Sequence, residues 1–244
     1  MTPSIISSFP TMAKLYLIPN VIAEGTQREV ITRQVLDILP TIKIFLAEDI
    51  RTARRFLSSL KIYDSIEELT FHVLNKDTRD TELSELMRPL REGQDVGVIS
   101  ESGCPGVADP GAMAVAYAHA NGIRVVPLVG PSSLLLALMA SGLNGQQFVF
   151  HGYLPIDVKQ AADVLRSMEK ESKKKDQTQI FIETPYRNNQ LFELMLKTLQ
   201  KSTLLTVAID ITGEHESIRT QTIGNWQSFK TAWPKQPAVF LFHA

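Results

Sequence analysis

The sequence predicts an α/β protein of two domains with mainly parallel strands. Three observations predict it. Short apolar runs alternate with amphipathic stretches along the whole chain, as strands exchanging with helices do. A Val129-Gly130-Pro131 turn falls near the midpoint. The 244 residues are enough for two domains, each of roughly 115 residues and within the usual size range. The expected division is 13–130 and 131–244.

Each element follows from a local signal. Leu15-Tyr16-Leu17-Ile18 reads as a buried strand stopped by Pro19. Thr26, with Glu29 three residues on, has the form of a capping box. Val30, Ile31, Val35, Leu36, Ile38 and Leu39 then recur at helical spacing. Ile42 to Ala47 is the second strand, Ile50 to Leu60 a basic helix, and Leu69 to Leu74 the third strand. Thr81 to Glu92 is expected as one helix ended by Gly93. Val96 to Ser100 is a strand, Gly111 to Asn121 an Ala-rich helix, and Arg124 to Leu128 the fifth strand. In the second half Ser132 is placed to cap a small-residue helix running to Ser141. Strands are expected at Gln147–Tyr153, Ile180–Glu183, Leu204–Ile209, Glu216–Thr222 and Ala238–His243. Helices are expected at Val158–Lys174 and Asn188–Leu199, with a short one between Ile223 and Ala232.

Composition excludes several classes. Apolar residues make up 44% and charged residues 21%, which argues against a disordered or fibrous chain. The single cysteine, Cys104, excludes an internal disulfide framework and a multi-cysteine zinc site. No metal-ligand cluster is evident, so no required metal is expected. The formal charge of −1 gives no general attraction to nucleic acid, so RNA binding would need a local basic patch. No apolar run approaches the roughly 18–20 residues of a membrane helix, and no secretory signal is expected at the N-terminus. The expected location is cytoplasmic. Residues 1–11 differ in style from the rest of the chain, and Met12 is expected to be the true initiator.

Two segments carry chemistry. Ser100-Glu101-Ser102-Gly103-Cys104-Pro105-Gly106-Val107-Ala108-Asp109-Pro110-Gly111 lies between a strand and a helix. It is stiff and poor in side chains, so a ligand can approach its backbone closely. A tight structural turn explains the same composition. It holds neither a Walker A sequence nor Gly-x-Gly-x-x-Gly, so an ordinary nucleotide triphosphate or dinucleotide site is not supported. The second segment, Val126 to Ser133, ends a strand in a Gly-Pro turn and opens a helix with two hydroxyls. Free N–H groups there suit a carboxylate; simple capping by Ser132 is the plainer reading. Cys104 is expected as a packing residue, and Trp226 and Trp233 as core or interface anchors. The run Lys173-Lys174-Lys175 reads as a solvated helix end or as part of a phosphate-binding surface.

In this order the motifs resemble the tetrapyrrole methylase superfamily of S-adenosylmethionine-dependent methyltransferases. Within it they most resemble the rRNA small-subunit 2'-O-methyltransferase I family. The likeness runs from about Leu15 to the C-terminus. It rests on Leu15–Pro19, Ala47-Glu48-Asp49-Ile50-Arg51, the Ser100–Gly111 loop, Gly122–Pro127, Gly130-Pro131-Ser132, Gly152-Tyr153-Leu154-Pro155 and Glu183-Thr184-Pro185-Tyr186-Arg187. The resemblance implies S-adenosylmethionine in an interdomain cleft and a homodimer acting on small-subunit rRNA or the ribosomal subunit. It assigns the cofactor to Pro19, Ser100, Glu101, Ser102, Gly103, Ser132, Ser133, Glu183, Ala208 and Ala238. Glu48 and Asp49 are the candidate catalytic carboxylates, and Arg51 and Arg187 the candidate substrate contacts. Bulk at Gly103, as in Gly103→Trp, is expected to block the cofactor. Arg51, Arg54 and Arg55 put positive charge on or near one helix face, suited either to RNA phosphates or to solvent.

The chain departs from the family pattern at Ala23-Glu24, at Lys76, and at Gly213, where the pattern has lysine. His72, Glu183 and His215 remain as further proton acceptors. Two other readings therefore stay open: a methyltransferase of a small, tetrapyrrole-like molecule, and a cofactor-binding homologue without turnover.

Overall fold

The computed structural model describes residues 13–228 and 233–244. Met12 and the last residues of the expected short helix near Ala232 lie outside them. The chain divides into two compact units at Pro131/Ser132, with Ile22–Glu24 assigned to the second.

The first unit holds a five-stranded, wholly parallel sheet. Its strands are β1 (Lys14–Ile18), β2 (Ile44–Ala47), β3 (Thr70–Val73), β4 (Val96–Ile99) and β5 (Arg124–Pro127), in the order β3-β2-β4-β1-β5. A parallel sheet is buried on both faces, and its centre shows this: all four residues of β4 are buried. Leu15 and Leu46 join one core layer, and Ile18 and Phe45 the other. Gly97 is glycine because a Cβ would lie 2.5 Å from Ile18 Cδ1 and 2.9 Å from Phe45 Cδ1. The order reverses between β4 and β1, and the carboxyl ends of strands at such a reversal are where ligands bind in open α/β sheets.

The helices are α1 (Gln27–Val30), α2 (Arg33–Ile38), α3 (Ile50–Leu60), α4 (Asp80–Leu86), α5 (Arg88–Arg91) and α6 (Gly111–Ala120). Two expectations are corrected here. The capping box at Thr26 and Glu29 does not form. Thr26 makes no capping hydrogen bond through its side chain, and the helix breaks at Ile31. Thr32, in extended geometry, instead accepts from the Val35 N–H and starts α2. The helix expected over Thr81–Glu92 is also broken, at Met87. Pro89 follows closely, has no N–H to continue the ladder, and suits only a first turn.

The second unit contains α7 (Ser133–Ser141), β6 (Phe148–Tyr153), α8 (Val158–Lys175), β7 (Thr178–Glu183), α9 (Asn188–Thr198), β8 (Leu204–Ile209), β9 (Ser217–Thr222), α10 (Ile223–Trp226) and β10 (Ala238–His243). Its sheet order is β6-β7-β10-β8-β9. Only β6 and β7 pair in parallel; β10 inserts antiparallel between β7 and β8, and β9 is antiparallel to β8. Parallel pairing thus dominates the first sheet and not the second. The cause is connectivity. Only a short turn joins β8 to β9, which permits nothing but antiparallel pairing.

One face of this sheet packs Ile180, Ala208, Val239 and Leu241 on Ala137 and Leu138 of α7. The other packs Phe181, Phe240 and Phe242 on Leu165, Met168, Leu191, Phe192 and Met195 of α8 and α9, with Trp226. Among the described residues no helix is long and apolar enough to cross a membrane.

Candidate functional site

In the first unit the loop after β4 is organised by two buried or half-buried polar side chains. Asn20, just beyond Pro19, is 2% exposed. Its carboxamide donates to the carbonyls of Ser100 and Glu101, both at 3.1 Å, and accepts the Val21 N–H at 2.8 Å. Its backbone N–H donates to Gly103 O at 2.9 Å. Ser100, also buried, donates its hydroxyl to the carbonyls of Ser102 and Gly103. The carbonyls of residues 100–103 are therefore spoken for.

Asp109 closes the far half of the loop. One carboxylate oxygen accepts the N–H of Gly106 at 2.9 Å and of Gly111 at 2.7 Å. Gly103 holds a φ of +68°, where a Cβ is disfavoured. Gly130 is required by contact, since a Cβ there would fall 2.1 Å from Pro19 Cβ. The Cys104 thiol points to Pro131 O at 3.3 Å, and burial pushes its pKa up. A protonated, donating thiol is no nucleophile.

The loop meets an acidic edge. β2 neighbours β4, so Glu48 and Asp49 follow Ala47 beside Ser100 and Glu101. Burial, and repulsion from Glu48, Asp49 and Asp109, raise the Glu101 pKa. Asp49 behaves oppositely. It caps α3 by accepting the Thr52 N–H, and that bond holds its carboxyl below the usual range. A carboxylate committed in this way is a poorer base. Asp49→Asn keeps the cap and removes the charge. If Asp49 acts only as a cap, thermal melting and methyl transfer should both stay near the parent. A loss of turnover at unchanged melting would mark a chemical role.

Arg51 is exposed in the first turn of α3. Arg54 is engaged by Glu67 at 3.5 Å and lies 5.2 Å from the Phe71 ring centroid. His72 sits on β3, paired with Leu46 of β2.

In the second unit, Glu183 ends β7, and Ala238, its register partner, begins β10. Ala208 is fully buried on β8 opposite Val239, and Ala238 is also buried. Both are core residues rather than exposed contacts. The Glu183 side chain is 1% exposed. One oxygen accepts the Thr184 N–H at 2.7 Å, and among the described residues the other accepts no hydrogen bond. Arg187 lies 3.3 Å from that second oxygen and donates to Pro155 O at 3.1 Å. The guanidinium expected to meet substrate is engaged inside the unit, joining the Gly152–Pro155 and Glu183–Arg187 motifs, and stays 24% exposed. Ser132 takes the N-cap position of α7 in extended geometry but makes no capping hydrogen bond. Capping by its hydroxyl is corrected accordingly, and Ser133 opens the helix.

The loop after β8 is closed upon itself. Asp210 and Thr212 both adopt positive φ, and Asp210 accepts the His215 N–H at 2.9 Å. A Cβ at Gly213 would lie 2.3–2.4 Å from the Asp210 carboxylate. Gly213 is therefore not a simple loss of a lysine; the carboxylate occupies the space its side chain would need. Gly213→Lys should displace Asp210 from His215, costing about 1.5–3 kcal/mol for a charged hydrogen bond. Denaturant unfolding of Gly213→Lys, Asp210→Ala and Asp210→Ala/Gly213→Lys should show the two losses to be non-additive, because both single variants break the same bond.

Sequence reasoning assigns no role to Asn20 and does not anticipate the work of Asp109 or Arg187. The Asn20 partners are about 80 residues away, and no local signal marks them. Arg187 lies within a recognised motif, but its partners Glu183 and Pro155 are a matter of packing.

The comparisons agree with this architecture. The pattern of the tetrapyrrole (corrin/porphyrin) methylases matches residues 26–227. A ribosomal RNA small subunit methyltransferase I of Escherichia coli O157:H7 is 30% identical over 93% of this chain and 73% of its own length. That of Vibrio cholerae is 31% identical over 94% and 76%. That of Mesorhizobium japonicum is 33% identical over 89% and 70%. The methyltransferase CobJ superposes with a TM-score of 0.60 at 18% identity, over 95% of this chain and 93% of its own. A uroporphyrin-III-C-methyltransferase from Thermus thermophilus gives 0.54 at 17%, over 95% and 92%. At such identities these two speak for the fold alone. The match over most of the chain and the shared two-sheet fold place this protein in the tetrapyrrole methylase family of methyltransferases.

Proposed function

We propose that the protein transfers a methyl group from S-adenosylmethionine to a ribose 2'-hydroxyl of small-subunit rRNA. The observation that carries this reading is the identity of 30% or more, across nine-tenths of the chain, to relatives named ribosomal RNA small subunit methyltransferase I. A cytoplasmic homodimer acting on the ribosomal subunit belongs to the same reading.

The residues fit such a cofactor. Glu183 keeps one buried oxygen without a hydrogen bond, an acceptor for an ammonium or hydroxyl donor. The start of α7 offers N–H groups that Ser132 leaves uncapped, which suits a carboxylate. Gly103, at the stiffened turn, presents backbone without a side chain. Pro19, Ser100, Glu101, Ser102, Ser133, Ala208 and Ala238 complete the proposed set, with Ala208 and Ala238 shaping strand ends from the core. When bound, S-adenosylmethionine supplies an electrophilic methyl on a sulfonium. The protein then has to align the acceptor and take one proton. Glu48 is exposed beside the loop and is not used as a cap, so it is the proposed proton acceptor ahead of Asp49. Arg51, exposed nearby, is the proposed phosphate contact.

The test is transfer of labelled methyl to small subunits isolated from a strain lacking this gene. Label mapped to a ribose is the expected result. Label in a small molecule from the same extract, with none in rRNA, would assign a different acceptor. A folded protein that binds S-adenosylmethionine and labels nothing would be a binder without turnover. Gly103→Trp should abolish cofactor binding in isothermal titration; unchanged affinity would leave the loop a purely structural role.

A further inference from the structure

At the end of the second sheet opposite Glu183 lies a cavity of about 300 Å³. β10 separates the two ends: Ala238 pairs with Glu183, and His243 pairs with Leu204 at the start of β8. At about 3.3 Å per residue, the cavity is some 15–20 Å from the Glu183 end.

Its rim is cationic. Lys170, Lys173 and Lys174 line it from the last turns of α8, at the i, i+3, i+4 spacing that puts side chains on one face. Gln200 and Ser202 line it from the turn after α9 and add neutral donors. Ala244 lines it too, its backbone N–H held on the Ser172 hydroxyl at 2.9 Å. Residues 170–175 hold four lysines against one glutamate, and that glutamate, Glu171, pairs with Lys175 at 2.7 Å. Among the described residues, Lys170, Lys173 and Lys174 have no ion pair of this kind. The one carboxylate side chain in the lining, Glu169, is buried and turned inward. It accepts the Gln200 N–H at 2.8 Å and the Thr203 hydroxyl. Its charge is spent on the floor, while the ammonium groups stay at the rim.

Such a lining suits an anion rich in oxygen. It contains no aromatic side chain on which a base could stack, so it can read backbone charge and not sequence. A chain with a net charge of −1 needs a local concentration of cations to hold RNA, and this cavity supplies one. We propose that the Lys170–Lys173–Lys174 cavity is a docking site for the phosphate backbone of the RNA substrate, remote from the reacting ribose. The inference rests on the reading that the acceptor is rRNA.

The test is binding of naked, labelled small-subunit rRNA to the full chain at several salt concentrations. The parent is compared with Lys170→Gln/Lys173→Gln/Lys174→Gln, and with a control triple, Lys61→Gln/Lys76→Gln/Lys159→Gln. Three lost single-strand phosphate contacts should lower the slope of log K against log salt by about two. Affinity at low salt should fall about tenfold or more, while S-adenosylmethionine affinity and melting stay at parent values. An unchanged slope overturns the inference while leaving the rRNA reading intact. An equal loss in the control triple also overturns it, by showing a response to net charge alone. A loss seen on intact subunits but absent on naked RNA would assign the cavity to a protein partner instead. If the parent itself fails to bind rRNA, both the inference and the reading fall.

Discussion

Arg187→Ala should destabilise the second unit and weaken cofactor binding together. The Glu183 side chain is 1% exposed, and among the described residues Arg187 is the counter-charge near its second oxygen. Removing one partner of a buried pair strands a charge, which costs about 3–5 kcal/mol in a dry interior. Arg187 is 24% exposed, so water can partly replace it, and the lower end of that range is expected. The variant also loses the hydrogen bond to Pro155 O. Denaturant unfolding gives the stability change, and titration with S-adenosylmethionine gives the binding change. Arg187→Lys retains charge but not the fork that reaches both partners, and should fall between. A variant that unfolds like the parent yet loses RNA affinity would return Arg187 to substrate contact.

Trp226→Ala should cost about 3–5 kcal/mol, the usual range for emptying a buried tryptophan site. Trp226 is fully buried and stands edge-on to Phe192 at 5.5 Å and to Trp233 at 5.8 Å between ring centroids. Its indole N–H donates to Leu205 O at 2.9 Å inside β8. The deletion therefore leaves a cavity and removes a hydrogen bond to a strand carbonyl at once. Trp226→Phe keeps the ring packing and loses the donor, so it should recover most of the packing and isolate the hydrogen bond. A parent-like unfolding midpoint for Trp226→Ala would mean the cluster around Phe192 contributes little. Trp226 belongs to the aromatic core and the half-buried Trp233 packs against it, in keeping with their expected anchor role.

The local sequence determined the order of strands and helices, because burial imposes its period on each segment independently of partners. Continuous apolar runs at Leu15–Ile18 and Val96–Ile99 became central strands of a parallel sheet. The Ser100–Gly111 segment was legible as a stiff loop, since glycine and proline fix backbone choices locally. The amphipathic pattern of α3 and its Asp49 cap lie within a few residues of each other, and so were within reach of a sequence reading.

Tertiary structure decided what depends on residues far apart in the chain. Whether Thr26 or Thr32 caps a helix turned on the path the chain takes into the core. The antiparallel insertion of β10 between β7 and β8 came from pairings at separations no local pattern encodes. The site followed the same rule. Motifs named Glu183 and Arg187, but only packing joined their charges and turned Arg187 inward. The sequence showed Gly213 as a missing lysine, and the fold showed the Asp210 carboxylate in its place. Identity and periodicity are properties of a segment, whereas the partner of a buried charge is a property of the whole fold.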